Sequence, residues 1–205
     1  MPASFDLLET LKWTPDEGFV LLERHLQRLS ASAAHFNVTC SIDRLREALA
    51  VAVDGADGPV RARLLVDQQG TPRVEIAPLE PSSAAVRVGL AASPIDPSDP
   101  FFFHKTTHRV MLEEKRRPEY DDTILWNPAR EITESIIANI VVDLGGRKVT
   151  PLVACGLLPG TLRAELLDRG EISEHRVTIE QLLDAPRFWL INSVRGWMVG
   201  HLVIW

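Results

Sequence analysis

The 205-residue sequence predicts an α+β fold in two domains. Three observations carry that expectation. Helix-type and strand-type hydrophobic periods are mixed in both halves of the chain. The segment Ser93–Pro100 holds three prolines in eight residues, and proline breaks helices and ladders alike. A composition of 45% hydrophobic and 24% charged residues is that of an ordinary folded chain. The expected division is a small α+β domain over 1–93, a linker over 94–100 and a larger domain over 101–205.

From the N-terminus, residues 4–13 and 18–22 are rich in strand formers and flank the turn-like Thr14-Pro15-Asp16-Glu17, which reads as a hairpin. Leu22, Leu26, Leu29, Ala33 and Phe36 recur at helical spacing, predicting a helix over 23–36. Ser41 has the character of an N-cap for a second helix through Leu45, Leu49 and Val53. Strands are expected over 60–66, 73–77 and 85–91, with Gln69-Gly70 turning between the first two. Beyond the proline-rich segment, 109–117 reads as a helix, then 122–126, 137–144 and 148–151 as strands, with Gly145-Gly146 as a hairpin turn. A helix over 161–167 follows Gly156-Leu157-Leu158-Pro159-Gly160, and strands over 187–192 and 198–204 close the chain.

Twenty-two basic against twenty-eight acidic residues give a net charge of −6, which argues against general nucleic-acid affinity. Cys40 and Cys155 supply neither a disulfide framework nor a four-ligand zinc site, so no metal is expected. The opening Met1–Asp6 has an acid where a signal peptide has cations, and no apolar run approaches the ~20 residues of a membrane span. These features predict a cytoplasmic protein with neither a membrane nor a nucleic-acid partner.

Lysine is scarce, and one of the four, Lys105, follows the aromatic run Phe101-Phe102-Phe103. Apolar surroundings lower a lysine's pKa and free its amine to act as a base or to form a Schiff base. The local alternative is a lysine that merely starts a surface helix. Glu134 and Asn139 stand at the entrance of an apolar strand, where a buried carboxylate would need a partner and an edge carboxylate would not. Gly160-Thr161-Leu162-Arg163 leads into a helix whose first N–H groups suit an anion, although the Walker lysine and spacing are absent. Arg28, between Leu26 and Leu29, and Asn192-Ser193, at a strand end, complete the set; each also fits plain surface or turn chemistry.

Together, His25-x-x-Arg28-Leu29, the Lys105 segment, Thr133-Glu134-Ser135-x-x-x-Asn139, Gly160-Thr161-Leu162-Arg163 and Asn192-Ser193 resemble the class IV aminotransferase family. The motifs come in the family's order and span residues 5–196. The resemblance implies a two-domain fold-type IV enzyme like D-amino acid aminotransferase, shortened at the N-terminus, with pyridoxal 5'-phosphate as cofactor. Phe103-His104-Lys105-Thr106-Thr107-His108-Arg109 and the opening Phe5–Leu11 are most similar to aminodeoxychorismate lyases, which make 4-aminobenzoate and pyruvate for folate synthesis.

By the same resemblance, Lys105 would be the Schiff-base lysine and acid/base, Glu134 would pair with the pyridine nitrogen, and Asn139 would also bind the cofactor. Arg28, the N–H groups of Thr161 and Leu162, and the Ser193 hydroxyl would hold the phosphate. Thr161-Leu162 replaces the commoner Ile-Thr, so one hydroxyl ligand is missing. A substrate amine bearing two carboxylates needs clamps, and Arg109, four residues after Lys105 on an expected helix, and Arg61 and Arg63, on one strand face, are the candidates. A homodimer is also implied. The family's transaminases of D-amino or branched-chain amino acids share the same lysine and glutamate, and a cofactor-free module with the same fold is the rival from another class.

Overall fold

The computed structural model describes residues 4–80 and 85–203, which divide into two compact units. The first contains the described residues through 80 together with His104–His108, and the second contains the remainder. The expected boundaries are corrected here. The stretch 94–100 lies inside the second unit, as does the strand at 85–90, while the short Lys105 segment belongs to the first. The proline-rich segment is held by burial: Ile95 is 2% exposed and packs with Phe102, Leu112 and Leu125. Proline content marked a break in periodicity, and packing made that break part of a core.

In the first unit, β1 (Leu7–Thr14), β2 (Gly18–Phe19), β3 (Val60–Val66) and β4 (Pro72–Pro78) form an antiparallel sheet in the order β2-β1-β3-β4. Helix α1 (Leu22–His35) packs on β1, and α2 (Ile42–Ala52) packs on β4. Ser41 caps α2 as expected, its hydroxyl accepting from Arg44 N. Alternation along β3 sets the two faces of the sheet: Val60, Ala62 and Leu64 are buried, while Arg61 is exposed and Arg63 partly so.

The second unit contains β5 (Ala85–Leu90), α3 (Val110–Glu113), β6 (Asp122–Trp126), β7 (Ile132–Ser135), β8 (Asn139–Leu144), β9 (Arg147–Pro151), α4 (Thr161–Asp168), β10 (Ser173–His175), α5 (Ile179–Asp184), β11 (Phe188–Asn192) and β12 (Gly196–Leu202). The strand order β8-β11-β12-β5-β6-β7 returns to β8 through a β7–β8 pairing, so six strands close on themselves, and β9 and β10 extend from β8. Closure removes the sheet edges and encloses Val88, Ile124, Ile140, Val142, Leu190 and Met198. Gly145 and Gly146, at φ 64° and 84°, make the β8–β9 turn, which needs two residues in the left-handed region.

Several elements differ from expectation. The helix predicted over 109–117 shrinks to α3, because the next turns bond three residues back (Lys115 N to Leu112 O, Arg116 N to Glu113 O) and Pro118 follows. The strand predicted over 137–144 starts only at Asn139, because Ser135 Oγ donates to Ala138 O and accepts from Ala138 N, folding the chain into a β7–β8 hairpin. The sequence pattern missed β7, β10 and α5, the last fixed by a capping box between Thr178 and Gln181. The far end of the last predicted strand, at Ile204, lies outside the described residues.

Candidate active site

The first unit positions Lys105 through its main chain. Leu8 N donates to Lys105 O at 3.0 Å, Thr107 N donates to Asp6 O at 2.9 Å, and Leu7 and Thr106 form an antiparallel bridge. Residues 105–107 thereby extend the sheet along the edge of β1 that β3 does not occupy. This register sets Lys105 opposite Leu8. Antiparallel partners project to the same side and strand residues alternate, so Lys105 shares a sheet face with Thr10, Arg61 and Arg63.

Behind it, His104 Nδ1 lies 3.0 Å from Ser32 Oγ, and its ring stacks on His35 with centroids 4.2 Å apart. Burial, and then the charge of His35, lower the pKa of His104. A neutral imidazole therefore follows the aromatic run and precedes the lysine.

Arg28 is fixed rather than loose. Its Nε and Nη2 donate to the two Glu9 oxygens at 2.8 and 2.7 Å, and His25 Nδ1 lies 2.6 Å from Glu9 Oε2. Burial alone would raise the pKa of Glu9. The charge of Arg28 and the hydrogen bonds from Arg28 and His25 outweigh it and hold the carboxyl at about 2. His25 and Arg28 are one turn apart on α1, which explains the His-x-x-Arg spacing: both side chains reach one carboxylate.

The second unit brings Glu134, Asn139 and the loop before α4 together. Glu134 is 7% exposed and stands directly across the hairpin from Asn139, where β7 meets β8 and the strand ring closes. Leu158 N donates to Glu134 Oε1 at 3.1 Å, and Asn139 Nδ2 donates to Glu134 Oε2 at 3.3 Å and to Leu158 O at 2.9 Å. A Cβ at position 160 would lie 1.9 Å from Asn139 Oδ1, so any side chain there would push the Asn139 amide aside. Gly160 is the N-cap of α4 and offers no side-chain cap, and Thr161, the first residue of the helix, is buried.

Asn192 Oδ1 accepts from Val194 N and Arg195 N, shaping the turn that carries Ser193, and Asn192 Nδ2 donates to Ile137 O in the β7–β8 turn. Ser193 thus belongs to the same end of the ring as Glu134 and Asn139.

The predicted substrate clamps separate. Arg109 is not on a helix with Lys105: residues 105–109 are not helical, and the two side chains belong to different units. Arg109 Nη2 donates to Ile136 O at 2.9 Å and its Nε lies 3.7 Å from Glu113, contacts that tie down the β7–β8 turn. Arg63 pairs with Glu75 at 3.1 Å. Among the described residues Arg61 has no carboxylate partner.

Sequence reasoning missed Glu9, whose only signal was a lone acid among Leu7, Leu8 and Leu11. It also missed Ser32 and Leu158. The first is 72 positions from His104, and the second acts through its main chain, so neither leaves a trace in spacing.

Each unit holds groups of the kind that pyridoxal phosphate requires: in the first a lysine amine and a fixed arginine, in the second a buried carboxylate and a helix start without a side-chain cap. The comparisons agree. Residues 6–201 match the family described as amino-transferase class IV. A Schizosaccharomyces pombe protein named "Putative aminodeoxychorismate lyase" is 29% identical over 97% of this chain and 90% of its own length. The crystal structure of a "Putative amino-acid aminotransferase" from Mesorhizobium loti is 35% identical, with a TM-score of 0.91 over 97% of this chain and all of that one. The 4-amino-4-deoxychorismate lyase of Pseudomonas aeruginosa has the same fold, with a TM-score of 0.81 at 21% identity over 96% of this chain and 82% of its own. This chain belongs to the class IV aminotransferase family and is a pyridoxal-phosphate-dependent enzyme.

Proposed function

We propose that the protein is a lyase converting 4-amino-4-deoxychorismate to 4-aminobenzoate and pyruvate, a step toward folate. The observation that carries this reading is the register of the Lys105 segment, in which position 105 shares a sheet face with Arg61. That face suits a substrate whose amine is accompanied by two carboxylates. The similarity to the fission-yeast protein along nearly the whole chain supports it.

Bound pyridoxal phosphate supplies an electron sink for the bond-breaking carbon. With the cofactor bound, Glu134, braced by Leu158 N and Asn139, would face the ring nitrogen. Arg28, kept in one orientation by Glu9, would bind the phosphate, as would the N–H groups of Thr161 and Leu162 and the hydroxyl of Ser193. The Lys105 amine takes the proton from the amine-bearing ring carbon and returns a proton to the departing enolpyruvyl group. Aromatisation of the ring drives the reaction forward. The working form in this reading is a cytoplasmic homodimer.

The Mesorhizobium structure, more similar in sequence and named for transamination, favours a second reading: a class IV aminotransferase on D-amino or branched-chain amino acids with the same lysine. Assays with 4-amino-4-deoxychorismate, and with amino acids plus 2-oxoglutarate, separate the two. Formation of 4-aminobenzoate with no 2-oxoglutarate requirement is the expected result; glutamate formation alone overturns the lyase reading. Replacing Lys105 with alanine should lower turnover by at least about a thousandfold, roughly 4 kcal/mol of barrier, and remove the borohydride-trapped cofactor from the peptide containing residue 105.

A further inference from the structure

The face that carries Lys105 holds a charge arrangement that the fold itself disfavours. Lys12 on β1 and Arg61 on β3 are direct cross-strand partners, and the other neighbour of Arg61, on β4, is Ala77. Like charges directly opposite each other in a ladder repel, and here no acid stands in the row to offset them.

The adjoining rows are different. Arg63 and Arg73 both pair with Glu75, and Arg73 also comes within 4.0 Å of Asp6. Among the described residues neither Lys12 nor Arg61 has a carboxylate partner. Of the four cations that β1, β3 and β4 carry on this face, the sheet thus pairs two with acids and leaves the other two facing each other, in a chain whose net charge is −6. Two adjacent unpaired cations are an anion site whose cost to the fold is recovered when an anion binds.

Its position suits one class of anion. Lys12 is four residues along β1 from Leu8, the partner of Lys105, a distance of about 14 Å at the rise of an antiparallel strand. A ring-sized acid whose amine meets Lys105 spans that gap once the long side chains at both ends extend toward it.

We infer that Lys12 and Arg61 form a subsite for a carboxylate of the substrate, the group farther from the reacting amine. Arg109, tied to the β7–β8 turn, and Arg63, paired with Glu75, play no part in it. This inference rests on the lyase reading for the identity of the acid, but the subsite itself is tested independently.

The test uses the holoenzyme and isophthalate, an unreactive ring dicarboxylate, with dissociation constants measured by calorimetry at low salt. Lys12→Met and Arg61→Met should each weaken isophthalate about tenfold and raise the KM for 4-amino-4-deoxychorismate similarly, with kcat changed less than threefold. Lys12→Arg and Arg61→Lys, which keep the charge, should stay within about threefold of the parent protein. Without ligand, each methionine variant should melt about 1–3 °C higher, because removing one cation relieves the repulsion. Isophthalate affinity and KM within twofold of the parent in both methionine variants overturn the subsite, as does a lower melting temperature in both. An enzyme that makes no 4-aminobenzoate yet loses isophthalate affinity tenfold in these variants overturns the lyase reading and leaves the subsite standing. The converse result, 4-aminobenzoate formed with unchanged KM, overturns the subsite alone.

Discussion

Each unit buries a carboxylate among the residues of interest, and the donors on the two differ in kind. Glu9 in the first unit is gripped by charged and titratable groups: both oxygens meet the Arg28 guanidinium and one meets His25. Glu134 in the second unit receives hydrogen bonds from a backbone N–H and an asparagine amide. The guanidinium offsets an acid's charge and fixes a cation in place, whereas these two neutral donors fix the direction of a carboxylate.

Substitution breaks this comparison most sharply at Glu134. Glu134→Gln keeps an oxygen for Leu158 N, so denaturant unfolding should shift by less than about 1 kcal/mol, while kcat should fall about a thousandfold. Equal losses of stability and activity would make Glu134 a structural acid like Glu9.

Glu9→Gln should do the reverse, costing about 3–4 kcal/mol of stability by leaving Arg28 inside without its counter-charge. Cofactor affinity should fall with it, as measured by equilibrium dialysis of pyridoxal phosphate. The acid limb of the stability curve sharpens the same point. Because the folded pKa of Glu9 is depressed to about 2, its contribution is fully present above the ordinary carboxylate range near 4.5 and is lost as pH falls toward 2. Denaturant melts across that window should show a few kcal/mol of pH-dependent loss in the parent protein, and less in Glu9→Gln.

A smaller effect is expected at Gly160→Ala. The added methyl would meet Asn139 Oδ1 at 1.9 Å and force that side chain away from Glu134, costing about 1–3 kcal/mol. Unfolding measurements check the stability, and cofactor affinity should drop while the Glu9–Arg28 brace is untouched.

Much of the secondary structure was legible because its signals are local. The stripe of Leu22, Leu26, Leu29 and Ala33, the Ser41 cap and the alternation along β3 each report on neighbours within a few residues. The candidate site was legible as residue types in order, Arg28, Lys105, Glu134 and Asn139, but not as geometry. Glu9 was overlooked because its partners are 16 and 19 positions away. The helical face expected for Lys105 and Arg109 does not form, because residues 105–109 instead bridge to β1 and turn.

The sequence by itself determined the periodicities, the caps and the chemical inventory, since these depend on side-chain type and short spacing. Tertiary structure decided which donors meet Glu9 and Glu134, that the proline-rich stretch joins a core, that β7 closes on β8, and that Lys105 shares a sheet face with Lys12 and Arg61. Those outcomes depend on the register and pairing of segments far apart in the chain. Pairing free energy is set by burial and hydrogen-bond satisfaction across the fold, which no local window contains.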